Sequence, residues 1–235
     1  MFFQSSAAFR RIASGVLLIT APLLQAVAVV VDPGTWGDDR EAVGYGANPV
    51  LAQLESAMYH WSWMLMAVAA FGLLHVVRRR SVVIGHIGGA MSVVGYIAVS
   101  ALLLTDPVEW WLGQRFTPEQ AQRHLDEMMN LPGVVFGFQM PWIFFAWVGL
   151  PLLTFAVWRA GAAHWLVPLT VTVGYVGAIP VPYGPATIAF WAAPVIGLGS
   201  VGVRFLRMSD EEWISYYPTA APGRTTPDSY ANTTA

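Results

Sequence analysis

The sequence predicts an all-α integral membrane protein, a six-transmembrane-helix bundle. Three observations carry that prediction. The 235-residue chain is 56% hydrophobic and only 11% charged, less than half the roughly 25% charged residues of a soluble domain. Its apolar residues fall into runs long enough to cross a hydrocarbon core, which takes about 20 residues of helix. Arginines close those runs at every second end. Backbone groups in lipid must be satisfied inside the segment, so the runs are helices. The short alternating segments of a membrane barrel are absent.

The expected spans cover residues 12–31, 56–77, 82–104, 134–157, 166–182 and 185–203. All twelve basic residues are arginine. Arg10 and Arg11 precede the first span, and Arg78, Arg79 and Arg80 separate the second from the third. Arg159 separates the fourth from the fifth, and Arg204 and Arg207 follow the sixth. The opposite side carries Arg40, Arg115 and Arg123 among many carboxylates. The positive-inside rule therefore expects a multi-pass plasma-membrane protein with both termini cytoplasmic.

The first span also fits a secretory signal peptide, with Arg10 and Arg11 before an apolar core and Ala26-Val27-Ala28 after it. The run continues through Val31, which favours a retained span. That span ends Asp32-Pro33-Gly34-Thr35-Trp36, and the third ends Asp106-Pro107-Val108-Glu109-Trp110. The helices after them align at one offset, His60, Trp63 and Arg80 with Gln139, Trp142 and Arg159. Repeated two-helix hairpins are one reading. The other is local, because Asp-Pro stops a helix and tryptophan favours the interface in any membrane protein.

The two long loops face outside. Residues 32–55 are rich in glycine and proline and read as irregular. In residues 105–133, Thr117 can cap a helix with Pro118 at its first position and Glu119 in its first turn. Ala121, Leu125, Met128 and Met129 give that helix an apolar stripe. A short amphipathic helix capping the bundle is expected there. After Ser209 the tail is acidic and aromatic, then from Pro218 takes the composition of a disordered end.

Candidate chemistry gathers at the outer end of the second span. Glu55, Tyr59, His60 and Trp63 lie within about 12 Å along one helix. Asp32 and Asp106 end their helices at the same level, and with Glu55, Glu109 and His60 they form a possible cation site. His60 has a plainer role as a hydrogen-bonding partner of Ser56 or a facing helix. His75 and His86, near the inner ends of adjacent helices, have the arrangement of a haem b site, or of interfacial groups beside Arg78–Arg80. Glycines at Gly85, Gly88 and Gly89, Gly174 and Gly177, and Gly197, Gly199 and Gly202 suit close helix approach. Pro22, Pro141, Pro151, Pro168 and Pro194 fall inside spans and break regular hydrogen bonding.

The net charge of −2 argues against a nucleic-acid partner, and the absence of cysteine excludes disulfides, thiolate metal sites and cysteine nucleophiles. No phosphate loop, nucleophile elbow or zinc motif is present. No cofactor is expected, haem b being the alternative. Three roles fit. The first is a non-catalytic accessory or scaffold subunit that meets a membrane-protein partner, or a second copy, through its membrane face or outer loops. The second is a transporter or binder of a hydrophobic molecule with its pocket at the outer rim. The third is a haem- or metal-dependent redox protein using His60, His75 and His86.

Overall fold

The computed structural model describes residues 5–36, 48–181 and 184–216. The glycine-rich centre of the first outer loop and the tail beyond Tyr216 lie outside the described residues, and so do the expectations made for both. Every described element is helical. Helix α1 spans Ser6–Val31 and is followed by the single turn α2, Pro33–Trp36. Helices α3, Pro49–Val77, and α4, Val82–Leu102, form an antiparallel pair. Next come α5, Thr105–Gly113, and α6, Pro118–Met129. Then follow α7, Pro132–Arg159, α8, Leu166–Tyr175, α9, Thr187–Arg207, and α10, Asp210–Ser215.

Five stretches are long and apolar enough to cross a membrane: α1, α3, α4 with α5, α7 and α9. The expectation of six differs at residues 166–182. There α8 is helical for ten residues, about 15 Å, or half of a hydrocarbon core. The composition explains the early end. Gly174 lies in its last turn and Gly177 just beyond it, and Pro180 withdraws a backbone donor. The third expected span also runs on. Asp106-Pro107 does not release the chain into a loop, because proline is tolerated in a helix's first turn and α5 restarts there.

Helix α7 departs most from regularity. Wider-wound π turns occupy Val135–Gln139 and Trp142–Ala146, on either side of Pro141. Proline lacks the amide that an α-helical ladder requires at that point, and the chain accommodates it by winding wider. The equivalent stretch of α3 is regular, so the proposed repeat partners differ in local geometry.

The helices close into a ring in which α1 packs on α3, α3 on α4, α4 on α7, α7 on α8, α8 on α9 and α9 on α1. Leu18, Met66, Leu73, Tyr96, Leu150, Leu153, Tyr175, Leu198 and Phe205 fill it with almost no exposure. Outward faces are also apolar, with Leu23, Phe71, Val83, Ile87, Phe144, Val148 and Ile196 exposed. A contiguous apolar exterior of that kind suits lipid and not water. Small residues bring α4 and α7 together: a Cβ on Gly95 would lie 2.2 Å from the Ala146 nitrogen, and one on Gly149 would lie 2.4 Å from the Ser92 nitrogen.

Helix α6 forms as expected. Thr117 and Gln120 make a reciprocal capping box, with Pro118 in the first turn. Ala121 is buried and packs with Leu112 of α5. At the other end of the bundle Arg11 ties α1 to α9 and α10. It meets Asp210 at 3.0 Å and donates to the carbonyls of Phe205 and Leu206.

Candidate functional site at one end of the bundle

A cavity of about 370 Å³ opens among the ends of α1, α3, α4, α5, α7 and α9. Four carboxylates line it: Asp32, Glu55, Asp106 and Glu109. Tyr59, Trp63, Trp142, Trp147 and Trp191 supply aromatic walls.

Each side chain is placed by local sequence. Glu55, Tyr59 and Trp63 stand four residues apart, so they stack along one face of α3, and all three are buried. Asp32 follows the last turn of α1. Its amide donates to the Ala28 carbonyl, and its Oδ1 accepts from the Gly34 amide at 2.7 Å. The rest of that motif completes the cap. Thr35 Oγ1 donates to the Val29 carbonyl at 2.6 Å, and Trp36 Nε1 to the Val30 carbonyl at 2.7 Å. These carbonyls would otherwise be orphaned at a helix end. Asp106 sits in the first turn of α5, where a negative charge is favoured by the helix dipole, and Glu109 follows one turn later.

The aromatic walls belong to a larger cluster. Trp191 meets Tyr59, Trp63 and Tyr175 with ring centroids 5.9, 6.0 and 5.7 Å apart. Trp147 meets Trp142 and Tyr175 at 6.2 Å in each case. Trp63 packs on Tyr96 at 5.1 Å. The Tyr175 hydroxyl donates to Gln25 Oε1 at 2.6 Å, fixing the floor of the cluster against α1.

Glu55 is the unusual group. It is 2% exposed, and its Oε2 has no hydrogen-bond partner. Asp32, Asp106 and Glu109 line the same cavity, so negative charge on them adds to the cost of a charge on Glu55. Trp142 Nε1, on the same cavity, is also buried without an acceptor. An unsatisfied buried carboxylate is costly, and native structures hold few such groups.

The structure thus brings Asp32, Glu55, Tyr59, Trp63 and Asp106 to one cavity, with Glu109. His60 lies outside it. One residue beyond Tyr59, it is turned about 100° around α3. Its Nδ1 is 2.8 Å from Ser100 Oγ and 3.4 Å from the Ser100 carbonyl oxygen of α4. It lines a separate groove with Ser56, Trp61, Ser100 and Trp110. His75 and His86 sit at the far end of α3 and the start of α4. His75 stacks on Trp213 with centroids 4.1 Å apart, and its Nε2 is 2.8 Å from the Trp213 carbonyl oxygen. His86 Nδ1 is 2.8 Å from the Val82 carbonyl oxygen of its own helix. Sequence reasoning left out Trp142, Trp147 and Trp191. Trp142 carried the available signal, through its alignment with Trp63 in the suspected repeat.

No family model, curated protein or solved structure matches the chain, so its own geometry carries the functional argument.

Proposed function

We propose that the protein is a multi-pass membrane protein that binds a small molecule in the cavity around Glu55, as a receptor or as one station of a carrier. The observation that carries this reading is the cavity itself. Ligand sites run to roughly 300–1,000 Å³ and combine mostly apolar walls with a few convergent polar groups. The space of about 370 Å³ between five aromatic residues and four carboxylates has that make-up. The π turn at Trp142–Ala146 adds support, because such irregularities are frequent at functional sites. An accessory or scaffold role would place the important contacts on the outer surface and leave this interior space without a purpose.

In the same reading the cavity faces outside and Arg78–Arg80 face the cytoplasm of the cell membrane. The hairpin repeat also fits. Both Asp-Pro turns, at Asp32 and Asp106, border the one cavity, as duplicated elements closing on a shared site would.

Native mass spectrometry of protein purified in mild detergent tests the binding role. A bound small molecule is expected, and it should be lost from Val99→Trp, which fills the cavity. Adduct-free native protein, with tryptophan fluorescence insensitive to a broad compound set, would refute it. Orientation is tested by cysteines at Arg123 and Arg80, both exposed. An impermeant thiol reagent on intact cells should reach only the first.

A further inference from the structure

Resting on the binding reading, we infer that the cavity's ligand is a small organic cation, a quaternary or protonated amine, held by Glu55 and enclosed by the tryptophans. Glu55 lines this space beside three further carboxylates, and its buried Oε2 has no hydrogen-bond partner. An anionic ligand would add to the negative charge gathered there and a neutral one could offer at most a hydrogen bond, whereas a cation offsets the charge of Glu55 and of its neighbours together. The walls narrow the class. Tyr59, Trp63, Trp142, Trp147 and Trp191 present rings whose faces attract a positive charge, and aromatic enclosures of this kind are how proteins recognise quaternary ammonium groups. A volume of about 370 Å³ is far larger than a bare metal ion needs and suits an alkylammonium. An ammonium headgroup on a phospholipid shares the chemistry. Its phosphate, however, would have to sit against the same four carboxylates, so the free cation is favoured.

The test uses full-length protein in maltoside detergent, read by tryptophan fluorescence and thermal shift. The probes are tetramethylammonium, choline and benzyltrimethylammonium, with 3,3-dimethyl-1-butanol as choline's neutral isostere. At least one ammonium probe should quench and stabilise, and the isostere should bind at least about tenfold more weakly, the expected loss for a charge-assisted contact. Glu55→Gln should reduce ammonium affinity by a similar factor. Should that variant fail to fold, Glu109→Gln provides the same reading from the cavity's edge. Equal binding of the isostere overturns the cation and leaves the binding reading intact. Silence from every ammonium probe also overturns it, and native mass spectrometry then decides separately whether anything is bound. Equal stabilisation by sodium or calcium overturns the organic ligand. Stabilisation in nanodiscs by phosphatidylethanolamine over phosphatidylglycerol, with no competition from choline, reassigns the site to lipid. Ammonium that stabilises Arg40→Gln, a variant of an outer-loop arginine, but not the native protein would mean the chain fills the site itself, and the inference falls.

Discussion

Gly95 offers the sharpest test of how the bundle is held together. It lies where α4 crosses α7, and a Cβ there would approach the Ala146 nitrogen to 2.2 Å and its Cα to 2.7 Å. Ordinary contact starts near 3.4 Å, so Gly95→Ala must push the helices apart by roughly 1 Å. The obstructing atoms are backbone, and no rotamer change relieves them. Overpacking of this kind costs about 1–3 kcal/mol. Alanine also favours helix over glycine by about 1 kcal/mol, which would mask part of that cost. Gly199→Ala removes the ambiguity. Gly199 is in α9 with nothing within 4 Å of its would-be Cβ, so that variant reports propensity alone. The difference between the two variants isolates the packing cost. At about 2–4 °C per kcal/mol for a chain of this size, Gly95→Ala should melt roughly 2–12 °C below Gly199→Ala in mild detergent. Gly149→Ala, facing the Ser92 nitrogen at 2.4 Å, should follow Gly95→Ala. Equal melting of Gly95→Ala and Gly199→Ala would show that α4 and α7 do not cross this closely.

Three further outcomes are expected. Tyr175→Phe leaves Gln25 Oε1 without its 2.6 Å donor in a residue 1% exposed, so stability should fall by about 1–3 kcal/mol, and unchanged thermal unfolding would refute that bond. Thr117→Ala removes one half of the capping box, worth about 1 kcal/mol, and should speed amide exchange in the first turn of α6 roughly fivefold without altering exchange in α4. Arg11→Ala loses its contacts to Asp210, Phe205 and Leu206 and should expose α10 to limited proteolysis. Asp210→Asn keeps the two carbonyl contacts and should do so less, so equal cleavage of the two variants would argue against the carbonyl contacts.

Much of the fold is written in composition and punctuation. Apolar runs bounded by arginine mark the long helices, and Thr117-Pro118 starts α6 because its capping chemistry is local. What failed to show was non-local or aperiodic. The run 166–182 is apolar enough to span, yet α8 stops at Tyr175, where glycine and proline outweigh hydropathy. Hydrophobic periodicity assumes one winding, so it gives no sign of the π turns in α7. Within the site, the four-residue spacing of Glu55, Tyr59 and Trp63 already put them on one face. The same spacing put His60 with Ser56 on another. Its ionisable ring drew attention that the geometry gives to Glu55. Trp147 and Trp191 come from distant helices and meet the others only when the ring closes.

Several departures from regular helix meet in one place, although the π turn at Val135–Gln139 does not line it. The turn at Asp32-Pro33, the restart of α5 at Asp106-Pro107 and the π winding that carries Trp142 all border one cavity. The early end of α8 at Tyr175 joins the aromatic cluster behind it. Irregular backbone is tolerated at membrane depth only where it is buried in protein or lines a cavity, because lipid cannot satisfy its polar groups. Such features tend to persist where function requires them. The remainder of the bundle, by contrast, is closed by glycine contacts and apolar packing. A chain under pressure only to pack would have carried the regular helices through. Placing the irregular backbone, the buried Glu55 and the tryptophans around one space concentrates the structural cost where a ligand can offset it.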